Sequence, residues 1–158
     1  MGDNRQIDKN SWEKSYQTTL IIVLIQIFAT IVLIIFGWFF SSVTDNSVSS
    51  RAISLLWLSI ILLVIASFVL RRVLFSLKRL QKSAEQKNLS VALQNNTVFI
   101  GLVGVIIAIL GFLVATLSGN KFEILRAGAV SLVVFIFNFP RKSVWQKIIA
   151  YLEKGNVV

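Results

Sequence analysis

The sequence predicts an all-α integral membrane protein, a four-helix bundle of two successive transmembrane hairpins with basic amphipathic juxtamembrane segments. Three observations predict it. Apolar residues make up 56% of the 158, and mean hydropathy is +0.78. A soluble domain has a lower apolar share and needs polar residues for its surface. Apolar runs of bilayer-spanning length recur four times, at about 20–40, 52–70, 98–117 and 121–139; about 20 residues of helix cross a hydrocarbon core of ~30 Å. Basic residues gather between and beside these runs. The whole chain, 1–158, reads as a single transmembrane domain.

The arm before the first run is expected to be helical from Ser11, a side chain suited to an N-cap. Trp12 and Tyr16 lie one turn apart and suit an interfacial aromatic belt. The first run outlasts the apolar core of a signal peptide, and no small-x-small cleavage site leads into a hydrophilic domain. Gln6 stands where a myristoylation motif needs Ser or Thr, and no Cys is present for acylation.

The segment Ser41–Ser50 is a short polar loop. After the second run the helix is expected to continue, with Val73, Leu77, Leu80 and Ala84 on one face opposite Arg72, Arg79 and Lys82. Polar residues then gather at Lys87–Asn96, and Ser90 suits the start of the next helix.

The third run carries a stripe of small residues. Thr97, Gly101, Gly104, Ala108, Gly111, Ala115 and Ser118 fall at steps of 4, 3, 4, 3, 4 and 3, which keeps them on one helical face. In lipid such a face lets another backbone approach closely. The stripe serves packing inside the bundle or, alternatively, packing between subunits. Ile107 lies off it, so Leu there is expected to be nearly silent.

Gly119 marks the end of the third helix. Asn120 and Glu123 have capping-box spacing for the fourth. That run contains Arg126 and ends at Pro140, which has no N–H and blocks further helix. The tail 143–153 places Val144, Trp145, Ile148, Ile149 and Leu152 on one face and reads as an interfacial helix.

Lys and Arg number sixteen. With both termini inside, three fall in the N-terminal arm, six in the central loop and four in the tail; only Arg51, Lys121 and Arg126 fall outside. The positive-inside rule therefore gives N-in, C-in, in a multi-pass protein of a prokaryotic inner membrane. Anionic headgroups account for the net charge of +9, so nucleic acid is not expected as a partner.

His and Cys are both absent, which removes disulfides, thiol chemistry, haem axial ligation and the commonest general base. The seven acidic residues are Asp3, Asp8, Glu13, Asp45, Glu85, Glu123 and Glu153, none at mid-membrane. In outline the layout resembles the duplicated proteolipid subunits of rotary ATPases. The mid-helix carboxylate of those subunits is missing here, where the second run has Ser59–Phe68 and the fourth Ser131–Phe137. Their function is therefore not implied.

The polar candidates are few. Gln26 and Thr30 share a face deep in the first run, and interhelical bonding is the expected use. Glu123 and Arg126 have the spacing of an interfacial ion pair. Asn138 precedes Pro140 and is placed to serve carbonyls that the proline leaves free. No phosphate loop, nucleophile elbow, metal cluster or carboxylate pair is recognisable. The expected function is non-catalytic, with no cofactor: a scaffold, accessory or assembly subunit of a larger membrane complex. Its partners would be anionic lipid and other membrane subunits or copies of itself. The alternative is a small oligomeric channel or transporter, its path lined by Gln26, Thr30, Ser59 or Asn138.

Overall fold

In an apolar medium a backbone must satisfy its own hydrogen bonds, and helix does this within one segment. The computed structural model describes residues 9–40, 49–76, 80–81 and 89–155. Five helices are found among them: α1 (Lys9–Phe40), α2 (Ser50–Leu74), α3 (Leu89–Ser118), α4 (Phe122–Asn138) and α5 (Lys142–Gly155). Three of these, α1 from Trp12, α2 and α3, are long and apolar enough to cross a membrane. The shorter α4 passes the same test only together with α5, across a bend of 41°.

The centre of the molecule is α3. Half of its most apolar stretch is buried inside the protein, against 17% for α1 and 11% for α2. It packs most extensively on α4 and α1, then on α2, and α1 also lies along α4. Contact between α1 and α2 is slight among the described residues. Of the two hairpins expected from the sequence, the second is the packed α3–α4 pair, whereas α1 and α2 flank that pair with little contact between them among the described residues. The physical reason is the small-residue face of α3, which admits neighbours more closely than the bulky faces of α1 and α2 admit each other.

One core lies between α2, α3 and α4, built on Ile60, Val103, Ile107, Val114, Ala127 and Val134. Ile107, off the small-residue stripe, is fully buried there. A second core gathers Trp12, Leu80, Leu89, Leu93, Trp145, Ile149 and Leu152. It joins the first turns of α1 and α3 to α5. The amphipathic tail therefore does not present its whole apolar face to a membrane surface: Trp145, Ile149 and Leu152 are buried in protein, and Val144 is exposed. Trp12 is likewise buried rather than set in an aromatic belt.

The helix ends follow local chemistry. Gly119 has φ of 64°, a left-handed conformation that closes α3 at no steric cost. Phe139 is extended, as the residue before Pro140 must be, and α4 stops at Asn138. Other ends differ from expectation. Helix begins at Lys9, ahead of Ser11, and Ser90 lies inside the first turn of α3. The second helix stops at Leu74, where the Phe75 N–H bonds Arg71 O at 3.0 Å; Leu77 and Ala84 lie outside the described residues. The Asn120–Glu123 capping box is incomplete. Asn120 Oδ1 accepts from the Phe122 N–H at 3.1 Å, and its own N–H bonds Ser118 Oγ at 3.2 Å rather than Glu123.

Candidate functional site: polar and close-packed contacts between helices

The stripe on α3 is occupied within the chain. A Cβ on Gly111 would collide with the Cβ of Ala127 on α4. One on Gly104 would lie 2.9 Å from Phe135 Cε2, also on α4, and one on Gly101 would collide with Gln26 Oε1 on α1. Ala108 and Ala115 are fully buried, and Thr97 is buried with its hydroxyl donating to Leu93 O at 2.8 Å. Ser118 is half-buried and donates to Ala115 O at 3.4 Å. The bare backbone at Gly104 admits a further partner: Ser131 Oγ donates to Gly104 O at 2.6 Å, joining α4 to α3 in a fully buried setting. Two glycines off the stripe repeat the device between α1 and α4, where Gly37 receives Ile124 and Gly128 receives Ile34.

Gln26 and Thr30 face inward but make poor use of their polarity. Gln26 Nε2 donates to Val98 O at 3.3 Å. Gln26 Oε1 and Thr30 Oγ1 are both buried without a hydrogen-bond partner. Gln26 lies over Gly101 and Gly37 lies beside Phe112, at the same sequence offset, so α1 and α3 run parallel and in constant register.

Glu123 begins α4 and is nearly buried. Arg126 Nη1 donates to its Oε1 at 2.9 Å, as the spacing suggested, and Trp57 Nε1 on α2 donates to its Oε2 at 2.9 Å. Trp57 was not foreseen, because nothing local in sequence joins it to Glu123. Asn138 sits at the far end of α4, where its Nδ2 donates to Val134 O at 2.7 Å and its Oδ1 is buried and unpartnered. It bonds its own helix one turn back, so the expected service to the carbonyls beyond is corrected.

Neighbouring helices provide that service. Arg71 on α2 donates to Phe137 O, near the end of α4. Asn96 on α3 donates to Leu74 O, the end of α2, at 2.9 Å. Tyr16 on α1 donates to Pro140 O at 3.3 Å, and its ring meets Trp145 edge-on at 5.5 Å. The last carbonyls of a helix have no partner within it, so Arg71 and Asn96 satisfy groups that would otherwise be orphaned, and Tyr16 serves the link between α4 and α5.

The candidates do not converge. Glu123 and Asn138 stand at opposite ends of α4, Thr30 is fully buried, and Ser59 is exposed and bonded to Leu55 O at 3.0 Å. Among the described residues no three His, Cys, Asp or Glu side chains are grouped to hold a metal. No protein-family model, curated protein or solved structure matches the chain.

Proposed function

We propose that this chain is a four-pass integral membrane protein that acts without catalysis, as a scaffold, accessory or assembly subunit of a larger membrane complex. Glu123 carries the reading: both of its carboxylate oxygens are held, one by Trp57 and one by Arg126, which makes it a brace between helices. Of the neutral polar groups deeper in, Ser131, Ser67 and Thr97 bond backbone carbonyls instead of facing a common path. The outer faces of α1 and α2 expose large apolar side chains such as Phe28, Phe36, Leu55 and Ile65. Such faces suit lipid and other membrane helices. The fourth pass is α4, ~25 Å long at 1.5 Å per residue, with the mostly exposed Arg126 side chain reaching the near surface.

On this reading the chain lies in a prokaryotic inner membrane, and the basic asymmetry supports an N-in, C-in orientation. Reporters fused after Asn46 would then read outside and those after Gln86 cytosolic. The functional test is native mass measurement of the chain taken from its own membrane in mild detergent. The expected result is a fixed ratio with at least one other polypeptide. A pure monomer, or a homo-oligomer that passes ions across liposomes, overturns the proposal.

A further inference from the structure

At the end of α2 a groove of about 640 Å³ opens between Phe68, Val69, Arg71, Arg72 and Phe75. We propose that it binds one anionic phospholipid, with the phosphate against Arg72 and the free edge of Arg71 and the upper acyl chain along Phe68 and Val69. The proposal rests on the membrane reading above.

The order of side chains along the helix matches such a molecule. Phe68 and Val69 stand on the apolar side, three residues before the two arginines, and both are exposed. Phe68 is held edge-on against Phe137 at 5.8 Å, which gives the wall a fixed shape. The arginines follow in the last turn, and Phe75 closes the far side. Among the described residues no acidic side chain lines the groove.

Helix C-termini ordinarily repel anions, because their unpaired carbonyls are partly negative. Here two of those carbonyls are covered. Leu74 O is taken by Asn96 and Phe137 O by one nitrogen of Arg71. Arg71 keeps further N–H donors, since a guanidinium carries five, and Arg72 makes no hydrogen bond or ion pair with the described residues. The groove is therefore electropositive at its rim. A hydrated soluble anion gains nothing from Phe68, Val69 and Phe75, whereas an acyl chain does, so a membrane lipid is the occupant that uses every wall. Basic pockets at a membrane edge recognise anionic headgroups in this way.

The test is native mass spectrometry of the full chain in detergent, titrated separately with phosphatidylglycerol and phosphatidylcholine. The expected result is one saturable adduct with phosphatidylglycerol and about fivefold or weaker binding of phosphatidylcholine. Arg72→Gln should weaken the phosphatidylglycerol adduct about fivefold, Arg72→Lys should retain most of it, and Arg51→Gln at the other end of α2 should leave it unchanged. Circular dichroism melting confirms that each variant folds. Equal binding of the two lipids, or equal loss in Arg51→Gln, overturns the site while leaving the chain in the membrane. Displacement of the lipid by millimolar inorganic phosphate overturns the assignment to a lipid. A chain that partitions into neither detergent nor bilayer overturns the membrane reading itself.

Discussion

Trp57 Nε1 donates to Glu123 Oε2 at 2.9 Å, tying the N-terminal half of α2 to the first turn of α4. The carboxylate side chain is 11% exposed, while that of its other partner, Arg126, is 67% exposed. The two contacts on one acid therefore differ in worth. The indole bond is formed where water is scarce and leaves a polar group stranded if broken. The guanidinium remains in solvent, where an ion pair contributes little.

Substitution should expose that difference. Trp57→Phe and Glu123→Ala are each expected to cost about 1–3 kcal/mol in reversible detergent unfolding. Combined they should cost less than their sum, because each breaks the same bond. Arg126→Gln should cost under about 1 kcal/mol. A loss at Arg126 as large as at Trp57 would show that the ion pair, not the indole, holds the helices.

Gly111 and Ala127 form a matched pair. A methyl added to Gly111 has nowhere to go, because the Cβ it meets is fixed to the α4 backbone and has no rotamer to change. Gly111→Ala should cost about 1–3 kcal/mol by overpacking. Gly111→Ala with Ala127→Gly should recover most of it, since the swap returns the lost volume. Gly101→Ala should be milder, as it meets the movable end of Gln26. Unfolding curves that rank Gly101 above Gly111, or no recovery in the double variant, would show that the α3–α4 approach is looser than this.

Gln26 and Thr30 should yield an unusual sign. Gln26 Oε1 and Thr30 Oγ1 are buried without partners, so each carries a desolvation cost that folding does not return. Thr30→Val keeps the shape and removes the orphan oxygen, and is expected to be neutral or stabilising by about 1 kcal/mol. Gln26→Leu gives up one 3.3 Å bond, but Val98 O lies inside a helix and keeps its backbone partner. It should cost under about 1 kcal/mol. A loss of more than about 2 kcal/mol at either position, by the same unfolding measurement, would mean that the oxygen has a partner within the native assembly.

What the sequence could show was set by periodicity. The small-residue stripe, the apolar runs and the stops at Gly119 and Pro140 are local patterns, and each appears in the structure where the residues placed it. The partners of those patterns are not local. Nothing near Glu123 names Trp57, and nothing near Phe137 names Arg71. The same limit explains Ile107, which lies off the stripe yet is buried because α2 covers the adjacent face of α3. The tail meets the same limit. An apolar helical face requires an apolar neighbour, but its sequence does not say whether that neighbour is lipid or Trp12, Leu89 and Leu93.

Trp145 distinguishes those two neighbours. It is 2% exposed and packs with the first turns of α1 and α3, while Tyr16 meets it at 5.5 Å and Lys142 pairs with Glu13 beside it. Trp145→Ala should remove one of the two tryptophans of this second core, where such truncations cost about 3–5 kcal/mol. Amide exchange should then quicken about a hundredfold or more in α5 and in the first turns of α1 and α3. The amides around Ile107 should keep their protection, because that core contains none of the same residues. Lys142→Gln should change little, since both members of its ion pair are about half exposed. If α5 lay instead on a membrane surface, Trp145→Ala would loosen α5 alone and leave Trp12 and Leu93 as protected as before.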